Sequence, residues 1–474
     1  MSGRLLLAGG RLVDPVAGTV EAEDVLIEDG RIAGRGPAGT LGTDATVFNA
    51  RGLLVLPGLV DMHVHLREPG QEYKETVATG VAAALAGGFT TIACMANTDP
   101  VNDSGAVTRF ILERAALAGG ARVHPIGALS LGLAGERLAE IGEMQRAGIV
   151  AGSDDGRAVM HAGLMRRALE YTRLFDLPVI AHEEDEHLCG GGVMNEGPTS
   201  VRLGLRGRPA VAEEVMVARD VALAELTGGR LHVAHVSTAR AVALIREARG
   251  RGVRVSAEAT PHHLMLTEEA VGDYDTNAKM APPLRTAADV AALRAALADG
   301  TIEAIATDHA PHHQDEKDVE FDLAANGIVG LETALALGLR LVADGVLELP
   351  ALVARMSTGP ARLLGLPAGT LAVGAAADVT LVDPERRWKV AARAFRSKGR
   401  NTPFEGWDLV GRVAVTLVGG RVVYDDRPAT PTLRVASCWD RPRPSSRWPT
   451  GPSSAVAPSA RRGRRPASWS STPA

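Results

Sequence analysis

Asp61-Met62-His63-Val64-His65-Leu66-Arg67-Glu68-Pro69-Gly70 follows the apolar run Leu53-Leu54-Val55-Leu56-Pro57-Gly58-Leu59-Val60. Such a run reads as a buried strand of a parallel sheet. Residues two apart in a strand project to one face, so His63 and His65 present two imidazoles side by side. That pairing suits one divalent metal, but the same spacing also arises in ordinary strands. The decision rests on what the other strand ends carry.

The chain has 474 residues, 46% of them hydrophobic, and a formal net charge of −5. It is long enough for a large core, either two or three domains or one big barrel with an accessory unit. Mild acidity argues against bulk binding of nucleic acid. With only 3% aromatic residues, base-stacking platforms are not expected either. Cys94, Cys189 and Cys438 are far apart and odd in number, so no disulfide framework suggests itself. Leu5-Leu6-Leu7-Ala8 is too short for a signal core, and no stretch approaches a membrane span. The expectation is a cytoplasmic enzyme acting on a small molecule.

Residues 1–57 read as short strands with hairpin turns at Gly9-Gly10 and Asp29-Gly30. Gly34, Gly36 and Gly39 spell G-x-G-x-x-G, but they follow a hairpin and open no helix, so a dinucleotide site is not expected. Across 58–364, short apolar runs alternate with Ala-rich helical stretches such as Val77 to Ala86 and Leu164 to Phe175. The strand candidates after the opening one lie at Thr90–Met95, Arg122–Ala128, Gly148–Gly152, Pro178–Ala181, Leu231–Ala234, Val253–Ala257 and Ile302–Ala306. Eight strand–helix units in about 300 residues predict an α/β chain with a (β/α)8 TIM-type barrel; a doubly wound sheet is the alternative. Hairpins return over 365–430, where Val413 to Tyr424 turns at Gly419-Gly420 and resembles the opening unit. One small β-sandwich built from both chain ends is the economical reading. Residues 431–474 are rich in Pro, Ser and Arg and read as disordered.

Reactive residues follow nearly every strand: Asp154 and Asp155 the fourth, His182 the fifth, His235 the sixth and Asp308 the eighth. Each alone has a plain explanation, since Asp after a strand often caps a helix and His often bonds a carbonyl. In a barrel these ends converge on one face, which makes the set a candidate metal centre. Imidazoles and carboxylates without thiolates suit catalytic Zn2+. Two ions need a bridging anion. Asp155 could supply it, with His63, His65 and Asp308 on one ion and His182 and His235 on the other. No G-x-S-x-G elbow competes.

Two stretches resemble the signatures of the dihydroorotase family. They are Asp61-Met62-His63-Val64-His65-Leu66-Arg67-Glu68-Pro69 and Ala306-Thr307-Asp308-His309-Ala310-Pro311-His312 followed by Lys317. The resemblance runs from about Leu5 to Arg427. It implies an amidohydrolase barrel with a β-sandwich from both termini and reversible cyclisation of N-carbamoyl-L-aspartate to L-dihydroorotate in pyrimidine synthesis. It also implies zinc, two ions per chain, held by His63, His65, Asp155, His182, His235 and Asp308. Asp308 would serve as general acid and base. Substrate contacts carry over to His65, Arg67, Asn97, His312, Asn326 and Gly327. Arg67 offers a fork of donors matched to a carboxylate. The resemblance further allows a homodimer and a complex with aspartate carbamoyltransferase.

Two departures stand out. Ala281 occupies the place of an Asn before Pro282-Pro283-Leu284-Arg285, and Asn326 that of a Phe. Hydantoinases and allantoinases are the nearest rivals, but they generally bridge their metals with a carboxylated lysine, and the Asp154-Asp155 segment offers none. A catalytically silent barrel supporting aspartate carbamoyltransferase would have lost ligand histidines, whereas all are present here. His262 and His263 read as packing residues, and the polar stretch His313 to Lys317 as a loop that could cover the site.

Overall fold

The computed structural model describes residues 3–42 and 44–427, so the tail expected at 431–474 and Cys438 lie outside the described residues. The opening hairpins are β1 (Leu5–Asp14), β2 (Thr19–Glu28) and β3 (Arg31–Pro37), followed by β4 (Thr46–Asn49) and β5 (Leu54–Pro57). Asp29-Gly30 forms the expected turn, with φ of +50° and +75°. Gly9-Gly10 does not. β1 runs straight through it with a bulge between Leu7 and Gly10. Gly9 donates its N–H to Asp24 Oδ1 (2.7 Å), and a Cβ at Gly10 would meet Val55 at 2.5 Å, so the glycines serve a bulge and a close strand approach.

The middle of the chain supplies parallel strands: β6 (Leu59–Val64), β7 (Phe89–Cys94), β8 (Arg122–Pro125) and β9 (Pro178–Ala181). After the short pair β10 (Met194–Asn195) and β11 (Gly207–Arg208) come β12 (Arg230–Val233), β13 (Val255–Ala259) and β14 (Ala304–Ile305). The fourth expected strand is present only as bridges from Gly152 to Gly127 and to Val179. Glycine at both ends of Gly148–Gly152 weakens regular strand geometry there, yet Val150 N–H still reaches Pro125 O and Gly152 N–H reaches Pro178 O. β6, β7 and β8 pair in order, Gly152 carries the pairing to β9, and β9, β12, β13 and β14 continue it. A parallel bridge from His309 to Val64 then brings the circuit back to β6.

Inside this circuit Met62, Ala93, Ile126, Ala151, Ile180, Ala234 and Ala304 form one small apolar cluster. Helices cover the outside. Val77–Ala86 matches its expected span and starts at Thr76, whose hydroxyl and that of Thr79 cap each other's backbone N–H. Its Val81, Ala84 and Leu85 join the main core between helices and strands.

β15 (Val379–Lys389), β16 (Asp408–Val418) and β17 (Arg421–Asp425) complete the first sheet, whose order is β17-β16-β15-β5-β1-β2-β3 with β4 on β1. Strands from both ends of the chain therefore share one sheet. It curls on itself, because Arg31 pairs with Ala376 and Ala377 N–H reaches Gly30 O. Leu7, Val25, Ile27, Ile32, Phe48, Val379, Leu381 and Val415 fill its core. Thr380 and Thr416 hydroxyls donate to Gly88 O and Leu85 O, fixing this sheet against the helix Val77–Ala86 and the turn that leads into β7. Among the described residues no helix is long and apolar enough to cross a membrane.

Candidate metal centre and active site

His63 lies on β6 and His65 just beyond it; both are buried, and His65 lines the cavity at the mouth of the strand circuit. Their outer nitrogens are committed. His63 Nδ1–H donates to Glu258 Oε1 (2.6 Å) and His65 Nδ1–H to Asn97 Oδ1 (2.9 Å). Each ring then turns the Nε2 lone pair toward carboxylates. His63 Nε2 has no hydrogen-bond partner and sits 3.4 Å from Asp155 Oδ1 and 3.5 Å from Asp308 Oδ1. His65 Nε2 sits 2.9 Å from Asp308 Oδ1 and 3.5 Å from Asp155 Oδ2. Lone pairs facing carboxylate oxygens in a buried space repel unless a cation lies between them. The donor set is nitrogen and oxygen throughout, so the residues fit a divalent ion such as zinc.

His235 Nε2 is 3.3 Å from Asp155 Oδ1, and His182 Nδ1 is 3.0 Å from His235 Nε2 and 3.6 Å from Asp155 Oδ1. Two triads have ligand atoms close enough to share an ion: His63, His65 and Asp308, and His63, Asp155 and His235. His63 belongs to both, and His182 stands beside the second with its Nε2 on Glu184 (3.0 Å).

The charges are strongly coupled. Burial alone would depress His63, but Asp155, Asp308 and Glu258 outweigh it and lift its imidazole well above the ordinary value. Burial opposes ionisation of Asp155 and Asp308 too. A proton on His63 Nε2 is one such cation: its charge, with the His182 and His235 imidazoles beside Asp155, holds both carboxyls below the usual carboxylate range. Despite burial, His63 and His232 hold Glu258 down to about 2.

Backbone strain gathers at the same place. Arg67, His235 and Asp308 have φ of +60°, +32° and +46°, a region costly to residues with a Cβ. Arg67 is buried, with Nε–H on Pro311 O (3.3 Å) and its fork beside His312 Nε2 (3.4 Å). His312 Nε2–H donates to the Asn326 carbonyl (2.9 Å). Asn97, Asn326 and His312 join the ligand candidates and Arg67 around one cavity of about 230 Å³, with Ala281 and Met280 also lining it. Gly327 is packed so tightly that a Cβ would meet Ala310 O and His312 at 2.7 Å.

Other expected residues divide. Asp154 turns away from the cluster and accepts the Leu129 and Ser130 N–H groups (2.8 and 2.9 Å). His263 is a packing residue, donating from Nε2 to Pro282 O (3.0 Å). His262 is buried beside it with an unpartnered Nε2, and belongs to neither triad. The His313–Lys317 stretch is no loose cover. Gln314–Lys317 is a helical turn held by the Lys74–Glu316 pair (2.9 Å) and by Lys317 Nζ on Ala325 O (2.7 Å).

The sequence reading missed Glu258, Glu184 and Asn401. Glu258 lies on β13 and binds both His63 Nδ1 and His232 Nε2. Its signal was an acid inside an otherwise apolar strand. Asn401 accepts the His312 N–H (3.1 Å) and donates to Ala310 O and Gly327 O (2.9 and 3.0 Å), and nothing local marks it.

A family model described as Dihydro-orotase-like matches residues 52–241. Dihydroorotase of Anaeromyxobacter dehalogenans (strain 2CP-1) is 59% identical over 431 residues, 90% of this chain and 100% of that one. Dihydroorotase of Syntrophotalea carbinolica is 58% identical over 421 residues, 89% of this chain and 99% of that one. Among solved structures, L-hydantoinase (dihydropyrimidinase) from Arthrobacter aurescens is similar with a TM-score of 0.82 at 27% identity, covering 91% of this chain and 98% of its own. Both likenesses span about nine tenths of this chain, but the hydantoinase one is at 27% identity and the dihydroorotase one at 59%. The chain belongs to the dihydroorotase family.

Proposed function

We propose that this enzyme interconverts N-carbamoyl-L-aspartate and L-dihydroorotate, the ring-closing step of pyrimidine synthesis, at the cavity lined by His65, Arg67, Asn97, Asp155, His182, His235 and Asp308. The observation that carries this reading is the meeting of two imidazole lone pairs with two carboxylates beside the buried Arg67 fork, in a chain 59% identical to a dihydroorotase. The closed circuit of parallel pairings supports a (β/α)8 barrel, and the curled sheet shared by both chain ends supports a β-sandwich beside it.

His63, His65, Asp155, His182, His235 and Asp308 are the residues that would hold zinc, two ions per chain. When bound, the metal supplies Lewis-acid polarisation and a water whose pKa falls to about 7. The chain's own residues do the rest. Arg67 presents its guanidinium to the substrate carboxylate. Asn97 gives its Oδ1 to His65, which leaves Nδ2–H free to donate to the same carboxylate. Asp308 Oδ1, 2.9 Å from His65 Nε2 at the cavity wall, is placed to accept a proton there. During ring opening it takes the proton of the attacking water and returns it to the departing amide nitrogen. In ring closure it takes the proton of the ureido nitrogen as that nitrogen attacks the side-chain carboxyl carbon, and returns it to the departing oxygen, which leaves as water. Gly327 leaves the space beside His312 that a side chain would fill.

Assay of the purified, metal-analysed protein with dihydroorotate, hydantoin and allantoin tests the reading. Turnover of dihydroorotate well above the other two is expected. A preference for hydantoin, or a metal-replete protein inert toward all three, overturns it.

A further inference from the structure

A second cavity of about 430 Å³ lies outside the first, and His312 is a wall of both. Its lining includes the cations Lys317, Lys398 and Arg400, with Asp318 as its acid. The hydrogen bonds that these cations make all go to backbone carbonyls: Lys317 to Ala325 and Gly327, Lys398 to Glu72, and Arg400 to Ser397 and Gly399. Carbonyls orient a cation without neutralising it. Of the nearby acids, Glu316 is engaged with Lys74 (2.9 Å) and lies 3.3 Å from His312 Nδ1, and Asp315 is exposed and does not line the cavity. With Lys398 and Arg400 charged against Asp318 alone, the cavity keeps a positive surplus even when Lys317 is neutral.

The two cavities are mechanically joined. Asn401 lines the outer one, and its side chain holds the His312 backbone and the carbonyls of Ala310 and Gly327. The titration of the wall reports the same field. Burial, then the charges of Arg67, Lys74 and Lys317, push His312 down to about 3, so a neutral imidazole separates the cavities. Burial and the Lys279 charge push Lys317 down to about 7, so an arriving anion would help it hold its proton.

We propose that the outer cavity is a second anion site, which receives the open-chain dicarboxylate N-carbamoyl-L-aspartate before it passes His312 to the inner site. This rests on the function proposed above. The open-chain substrate carries two carboxylates and the cyclic one a single carboxylate, so a cationic antechamber favours the former.

The test uses the full-length, metal-loaded enzyme and the double variant Lys398→Gln/Arg400→Gln, which leaves the inner site untouched. At low salt kcat should be unchanged, while KM for N-carbamoyl-L-aspartate rises about threefold to tenfold and KM for dihydroorotate rises less. The gap should close at about 0.5 M salt, as screening removes it in the parent too, and the charge-keeping pair Lys398→Arg/Arg400→Lys should restore the parent KM. Equal KM values for parent and double variant at low salt overturn the proposal, as does a rise that salt does not change. Calorimetric binding of succinate keeps the proposal separate from the reaction. Weaker succinate binding in the double variant supports the outer site even if the parent turns over neither substrate, and unchanged binding counts against it.

Discussion

His63 gives one ring nitrogen to Glu258 and leaves the other bare among carboxylates, so Glu258 decides how firmly the imidazole is aimed. Glu258→Gln preserves shape and removes charge. The expected result is a drop in zinc affinity of about 10- to 100-fold in a folded protein, read by chelator competition; parent-like affinity would remove Glu258 from the centre. Asp308→Asn should lower kcat by at least about 10²-fold in a metal-replete preparation, because an amide cannot carry the proton. Near-normal turnover would sink its assignment as acid and base. At this scale the sequence exposed the residues that sit at strand ends in a repeated pattern: His63, His65, His182, His235, Asp155 and Asp308. Strand position alone does not separate Asp155 from Asp154; the family resemblance points to Asp155, and the backbone sends Asp155 to the cluster and Asp154 to the Leu129 and Ser130 amides. Asn401 was hidden for another reason: its three bonds all reach residues more than 70 positions away.

The helical turn Gln314–Lys317 and the segment Ala325–Gly327 that it holds show what a titrating lysine does to an element. The folded structure depresses Lys317 to about 7 from its ordinary 10.5, so the unfolded chain binds more protons between those values. Stability from this group is therefore fully present above about 10.5 and is lost as pH falls through about 7. Hydrogen exchange across 313–327 should be slower at pH 9 than at pH 6 after correction for intrinsic rates, and Lys317→Met should flatten the difference. A segment equally protected at both pH values would contradict it. Elements themselves were legible wherever burial imposes a period, as in Val77–Ala86 and Pro178–Ala181. Glycine pairs were read less well. Gly9-Gly10 and Gly419-Gly420 are the same dipeptide, yet one bulges a continuous strand and the other turns a hairpin. The difference lies in the partner strand β5, not in the local sequence.

At the scale of the whole molecule, the curled sheet meets the parallel strands through Arg122 and Asp378, paired at 2.8 and 3.2 Å. Asp378 also accepts the Gly419 N–H (2.7 Å). Half of Arg122 faces solvent, which screens the pair, so Asp378→Ala should cost mainly the lost backbone bond, about 1–2 kcal/mol. Chemical denaturation should register that loss with kcat unchanged; a collapse of activity at full stability would show that the sheet does more than brace the strands. Removing metal should lower Tm as well, since buried carboxylates lose the cation they face, and a chelated protein melting with the parent would argue against a structural share for the ion. β5 has a further consequence, in the order of synthesis. Its edge pairs with β15, which leaves the ribosome roughly 320 residues later, tens of seconds at ordinary elongation rates. For that interval Leu54-Val55-Leu56 is an apolar strand edge without its neighbour. The nascent chain must be kept from sticking to others until its last fifth arrives, which makes this protein a natural client for a chaperone that shields hydrophobic segments during translation.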